Sequence, residues 1–555
     1  MRHLLRPYVT AGVAIVAASL VAAPQVMRQP PDVQVRPVRL ASVDGAGSSL
    51  GDGIALIMGT SALPVPPPTY VDAIDQLYLV PRGFTGTTVP LTTPEGLFPV
   101  TGPNSLLFSN AEDQDTTTLD NAIMSAYDTG KFGPTDPIVV FGWSQSADIS
   151  GRVMTELAAA GVPSDDVHFV LVGDANNADG GLLNRFSVDG LNPQVPALGI
   201  PFGGSTPADL YPTDIITTEY AAPADAPQYV GDPLSDINAA LGVIFGHLQY
   251  PGLTPAYLQN AILLPGSEDS TTDPCADCLT DYYMLPQQMP LLDVLQLIPV
   301  IGKPLSDLLG PDLSVLVNLG YGSTTEGWSQ GPADVFTPMG LLPPTSVLDQ
   351  VPQALANGLQ QGVSAFMQDL GNPDTYSLSS WFNSAVLDNA SINALVDTSN
   401  ALGYTDATNT SQLLSGGLQA LLGVAQKALA GATNFPTSTT TLLSSPTDII
   451  NDLSGTTGYD ISSLDSFPAA INALLTSLPA YDVSLFTDEL QSGNLLDAIG
   501  LPLAADLVLI PTALGFGVAG PIIGAAGTAV NLADLIPGLE TNSTNLLDLL
   551  QGIGL

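Results

Sequence analysis

The chain has 555 residues, 45% of them hydrophobic and only 12% charged, and its acids outnumber its bases 53 to 11 for a formal net charge of −42. That length exceeds one core and points to roughly two or three domains. So acidic a chain repels phosphate backbones, which excludes nucleic-acid binding, and it offers no basic amphipathic helix to an anionic membrane.

The chain opens with Arg2, His3 and Arg6, followed by an uncharged, mostly apolar run from Tyr8 to Ala23 that ends in Val21, Ala22 and Ala23. A basic start, an apolar core and small residues at a cleavage position are the outline of a secretory signal. Residues 1–28 are therefore expected to be a signal peptide or N-terminal anchor, and the remainder to be exported to the cell envelope or medium. Residues 29–49, rich in Pro and Val, read as a linker.

From about residue 50 the pattern changes. Gly53–Gly59 is a short apolar run ending in glycine, as a buried parallel strand should be. Gln76–Val80 is a second candidate strand. Leu119, Ile123 and Tyr127 recur at helical spacing. Pro137–Phe141 is a third strand, running directly into Gly142-Trp-Ser144-Gln-Ser146. Ile149, Val153 and Leu157 then repeat every four residues and predict a helix with one apolar face over 145–159. Val167–Val172 is a fourth strand and Asp214–Tyr220 a fifth. Alternating strands and helices predict a mostly parallel sheet covered on both faces. Between Gln249 and Gly302 the order loosens, as a lid or subdomain would. The α/β unit is expected to span 50–325. Residues 330–555 read as an Ala- and Leu-rich, mainly helical extension, with helices such as 351–368 and 411–430. Leu507–Ala533 is uncharged and long enough to span a bilayer, but Pro511, Pro521 and its glycines favour a buried or envelope-associated segment.

The chemistry gathers at Gly142-Trp-Ser144-Gln-Ser146. A serine between a strand and a helix is the context of a nucleophile elbow, whose sharp turn lifts the hydroxyl above the sheet edge. The N–H of Gln145, following the serine, then points at a developing oxyanion. Ser146 stands where the common pattern has glycine. A triad needs a histidine, and the chain has three. His3 belongs to the N-terminal segment. His168 opens the fourth strand, at the edge of the sheet away from the strands' carboxyl ends, where sites of this class lie. His247 remains, and the chain order Ser…Asp…His fits this architecture. For the acid, Asp225 follows the fifth strand and could orient the imidazole. Asp174, at the end of the fourth strand, and Asp232 and Asp236, placed as loop or cap residues, are its rivals. Thr60, in the loop after the first strand, is the expected second oxyanion donor. Cys275 and Cys278, the only cysteines, lack nearby histidine for zinc and read as a local disulfide in an exported protein. Glu268, Asp269, Asp273, Asp277 and Asp281 around them read as a solvated loop. No metal or cofactor is expected.

These residues resemble the PE-PPE domain of mycobacterial proteins, a cutinase-like serine α/β-hydrolase family. The matching stretches are Met58–Ser61, Pro64–Tyr70, Phe141–Ala147, Gly173 through Phe186, Thr206-Pro207, Tyr220–Pro227, Asn238–Tyr250 and Val317–Gly322, spread over roughly half the chain in the family's order. The resemblance implies that serine is accepted at position 146. It aligns the family's Tyr-Asp-Gly-Trp-Ala-Asp with Tyr220–Asp225, so that only the second acid is present and Ala221 is a departure. It also aligns His-Gly-Thr-Tyr with His247–Tyr250. The start of the chain resembles the membrane-anchored members that acylate trehalose glycolipids, and Leu478–Phe486 with Ala498–Pro502 looks like a C-terminal extension of other members. The expected function is an exported esterase or lipase with Ser144, His247 and Asp225 as its triad. Its substrate is then an acyl ester or glycolipid, with cell-envelope association. An acyltransferase or a non-catalytic surface protein are the alternatives.

Overall fold

The computed structural model describes residues 50–372, apart from 99–100, 102–104, 188–193, 196–198, 271–274, 276–277, 297 and 299–300, together with 375, 390–402, 466–506 and 508–509. The N-terminal signal or anchor, the helix expected over 411–430 and most of 507–533 lie outside them.

Nine strands are described: β1 (Ile54–Ile57), β2 (Thr87–Pro90), β3 (Ile138–Trp143), β4 (Val167–Val172), β5 (Gln194–Val195), β6 (Ile200–Pro201), β7 (Thr213–Thr218), β8 (Ile262–Leu263) and β9 (Thr280–Leu285). Seven form one sheet in the order β2-β1-β3-β4-β7-β9-β8, all parallel except β8, which runs antiparallel to β9. β5 and β6 make a separate hairpin. The central strands are apolar on both faces because both faces are covered. Val139, Phe141 and Trp143 of β3 pack into one cluster with Tyr70, Val172 and Tyr250. The alternate residues Ile138 and Val140 pack into the other, with Ile149, Val153 and Leu157 of the following helix.

The helices that matter to the site are α1 (Pro68–Ile74), α2 (Phe108–Tyr127), α3 (Gln145–Ala160), α4 (Pro233–Phe245), α5 (Gly302–Asn318), α6 (Val351–Gly371), α7 (Ala390–Ala401) and α8 (Ser466–Ser492). Residues 76–80, expected as a strand, instead continue the helical course of α1. Tyr70, Ile74 and Tyr78 recur every four residues and are all fully buried, so the run is a buried helix face. The strand beside β1 is the shorter, largely exposed β2. The region expected to hold a lid supplies β9, which pairs with β7 along its whole length.

Packing continues past residue 325. The buried guanidinium of Arg185 donates to Ala226 O, to Thr337 O at 2.7 Å and to the hydroxyls of Thr337 and Ser329. Gly340 N–H donates to Gln228 O at 2.8 Å. α6 lies along α5, and α7 lies against the segment 247–252. In α8, Tyr481 and Leu485 join a cluster with Phe108, Phe186 and Phe202, and Tyr481 Oη donates to Phe186 O at 3.1 Å. Composition changes near residue 330, but the core does not end there.

Many carboxyls are buried in this acidic chain. Desolvation pushes Glu112, Asp115, Glu219 and Asp281 up to about 7 and Asp236 up to about 8. A carboxyl raised on folding binds its proton more tightly in the folded state, so its stabilisation is complete at low pH and is lost as pH rises through these values. The two buried histidines, lowered on folding, pull the other way but are outnumbered. Calorimetric Tm is expected to be higher at about pH 5 than at about pH 8, by at least about 3 °C. A Tm that climbs across that interval would contradict the burial of these carboxyls.

Candidate active site

β3 ends at Trp143, opposite Val172 of β4, and the backbone reverses at Ser144 with φ 58° and ψ −118°. That conformation is rare for a residue with a side chain and costs roughly 1–3 kcal/mol. It is held by Ser144 N–H donating to Val172 O at 3.0 Å and by α3, which starts at the next residue. Gly142 is required here, since a Cβ would lie 2.7 Å from Ser146 O. Of the pentapeptide, Ser144 alone is partly exposed; the residues on either side are buried.

His247 begins a short helical turn after α4, and its Nε2 lies 2.9 Å from Ser144 Oγ. The turn is pinned from three directions. Trp143 Nε1–H donates to His247 O at 3.2 Å, Tyr78 Oη–H donates to Tyr250 O at 2.8 Å, and Thr218 N–H donates to Tyr250 Oη at 3.0 Å. The imidazole lies against the backbone of Gly173, where an added Cβ would sit 2.8 Å from Cε1 and 3.0 Å from Nδ1. Trp143, Gly173 and Tyr250 were not singled out as site residues by sequence reasoning. The signal lay in their positions within the stretches that resemble the family.

The four candidate acids differ in their partners, and Asp225 and Asp236 each keep a buried oxygen without one among the described residues. Asp174 gives its oxygens to Asn176 N–H at 2.9 Å and to Thr206 Oγ1–H at 2.7 Å. Asp232 caps α4 through Leu234 N–H at 3.1 Å, and Asp236 lies in the first turn of the same helix. Asp225 is fully buried, and its Oδ2 accepts from Tyr220 N–H at 2.7 Å. Its Oδ1 and the Nδ1 of His247 are both buried and both lack a hydrogen-bond partner among the described residues. Burial pushes the Asp225 carboxyl well above the usual carboxylate range, against the pull of Tyr220 N–H and the nearby Arg185.

Thr60 follows β1 and is partly exposed, and Gln145 is the first residue of α3. Ser61 Oγ–H donates to Gln145 Oε1 at 2.7 Å, which brings the β1 loop to the elbow. His168 pairs with Val139 near the amino ends of the strands, beside the ion pair of Arg82 with Asp214. It therefore lies at the opposite edge of the sheet from Ser144. Cys275 and Cys278 are joined as a disulfide. Among the described residues no cluster of three or more His, Cys, Asp or Glu could hold a metal ion, and no helix is long and apolar enough to cross a membrane.

Residues 86–322 match the model of the PE-PPE domain. An uncharacterized PPE family protein of Mycobacterium tuberculosis, PPE28, is 32% identical over 89% of this chain and 69% of its own length. The esterase PE16 of the same organism is 37% identical over 59% of this chain and 60% of its own. Among solved structures, lipase B of Aspergillus fumigatus aligns with 62% of this chain and 70% of its own at 12% identity, but with a TM-score of 0.22 that likeness carries no weight.

Burial also lowers the His247 imidazole, to about 4. A base must be neutral to accept a proton, so any activity that uses His247 as its base is present above the imidazole pKa and lost as pH falls through it. The acid limb of kcat/KM is expected below the ordinary histidine value of about 6.5, with full activity still at about pH 6. A limb at or above about 7 would show that desolvation does not govern this imidazole.

Proposed function

The chain belongs to the PE-PPE domain family, and from that membership and the 2.9 Å approach of His247 Nε2 to Ser144 Oγ we propose that it is a serine esterase or lipase. His247 takes the proton of Ser144, whose oxygen attacks the carbonyl carbon of an acyl ester. The amides of Gln145 and Thr60 receive the oxyanion. Collapse of the tetrahedral intermediate expels the alcohol, protonated by His247, and leaves an acyl-serine. Water, activated by the same imidazole, then releases the fatty acid. Where a sugar hydroxyl replaces that water the product is a new ester, and the enzyme is an acyltransferase. The name of the relative PE16 supports the ester-hydrolysing reading.

Asp225 is proposed as the third member. Its Oδ1 needs a donor and His247 Nδ1–H needs an acceptor. Pairing them would satisfy two buried groups at once, each otherwise costing about 1–3 kcal/mol. It would also fix the tautomer in which Nε2 faces Ser144.

Ser144→Ala and His247→Ala are each expected to abolish turnover of a short-chain ester, with non-additive losses because the two act as a unit. Asp225→Asn should cut kcat by up to about ten-thousand-fold. His168→Ala should keep activity, and only the chain with Ser144 intact should label with a fluorophosphonate. A well-folded His247→Ala variant with full activity would overturn the assignment. Product analysis with and without a trehalose-type acceptor separates hydrolysis from acyl transfer. Export is part of the proposal, and protein recovered from the envelope or medium should begin near Ala23. Recovery from cytosol alone would remove it.

A further inference from the structure

We propose that Ser146, together with the Ser61–Gln145 pair, positions the loop that carries the second oxyanion donor; the inference rests on the serine-esterase reading above. Ser146 is fully buried, two residues beyond the nucleophile. Its hydroxyl accepts from Trp143 N–H at 2.7 Å and donates to Gly59 O at 2.5 Å. Gly59 immediately precedes Thr60, so one side chain ties the elbow on one strand to the donor loop on the next.

The far side of Thr60 is held from the same helix turn. Ser61 Oγ–H donates to Gln145 Oε1 at 2.7 Å, and Gln145 Nε2–H donates onward to Gly96 O at 3.0 Å. Leu63 N–H donates to Thr60 O at 2.7 Å, and Ala62 N–H donates to Glu95 O at 3.0 Å, which closes the turn behind it. Thr60 is thus bracketed by two side-chain bonds, from Ser146 to Gly59 and from Ser61 to Gln145. Each bond engages one of the first two residues after Ser144. The amide of Gln145 is fixed by the helix start, so these two bonds set the spacing of the two oxyanion donors.

A glycine at position 146 would leave Trp143 N–H and Gly59 O to find other partners and would free the loop from the elbow. The hydroxyl therefore substitutes a tether for the close packing that glycine allows. Such a tether acts on the transition state, because an oxyanion donor serves the tetrahedral intermediate more than the ground-state ester.

The test uses the full chain and a short-chain p-nitrophenyl ester. Ser146→Ala and Ser61→Ala should each lower kcat about tenfold or more while leaving KM within about twofold, since removal of a whole donor costs about a hundred- to a thousand-fold. Affinity for a reversible alkyl boronic acid, a tetrahedral mimic, should fall in parallel. The acid limb of the pH profile should not move, because His247 is untouched. Ser61→Thr keeps the hydroxyl and should recover most of kcat. If Ser146→Ala does not fold, the Ser61 variants carry the test, as Ser61 is partly exposed. Folded alanine variants with unchanged kcat and boronate affinity would overturn this assignment alone. A wild-type chain with no turnover and no fluorophosphonate labelling would instead overturn the reading beneath it.

Discussion

A left-handed backbone at one serine is the constraint around which the rest of the site is arranged. With φ at 58°, Ser144 has only one way to leave β3, and that way stands its hydroxyl at the carboxyl edge of the sheet. Such strain persists only where neighbours over-determine it. Here they are the hydrogen bond to Val172, the absence of a Cβ at Gly142, and a helix that starts at Gln145. Parallel register then decides which residues meet. Because Trp143 stands opposite Val172, the next residue of β4's exit is Gly173, and the imidazole rests against it.

The surroundings of that edge are polar but largely uncharged. Asp148, in the first turn of α3, and Asp174, after β4, are buried together and hydrogen-bonded to each other, with burial raising both. Glu95, behind the β1 loop, is raised well above its usual range by burial and by the nearby Asp115. Carboxyls that keep their protons serve as hydrogen-bonding posts without the cost of a buried charge. The large net charge of the chain therefore does not describe the environment of Ser144.

Much of this was legible in the sequence because two periodicities were clean. The runs at β1 and β3 are short and wholly apolar, β4 is apolar but for His168, and the four-residue repeat of Ile149, Val153 and Leu157 marked α3. The shortage of histidines pointed to His247, which the fold brings to Ser144. Residues 76–80 misled because a run of three consecutive buried residues, Leu77 to Leu79, is too short to carry a period that tells strand from helix. β2 escaped notice because an edge strand of four residues, mostly exposed, has no hydrophobic signature. The contacts that continue past residue 325 escaped notice for a different reason. Arg185, Ser329 and Thr337 are joined by hydrogen bonds across long stretches of chain, and polar partners of that kind leave no periodic trace. Ser146 could be recognised only as a departure from glycine; what its hydroxyl holds is a matter of tertiary distance.

The helix α7 has a consequence for how this protein is made. Its residues Ala394 and Thr398 form the wall behind Gly252, at the end of the turn that His247 begins, and Thr69 in α1 donates to Ala401 O at 2.6 Å. A nascent chain folds from its amino end as segments emerge. The elbow, the sheet and the histidine are all synthesised well before the wall that backs them. The order of synthesis thus separates the appearance of Ser144 from the moment the turn of His247 is locked in place. A chain interrupted between those two moments carries Ser144 and His247 but lacks the finished frame.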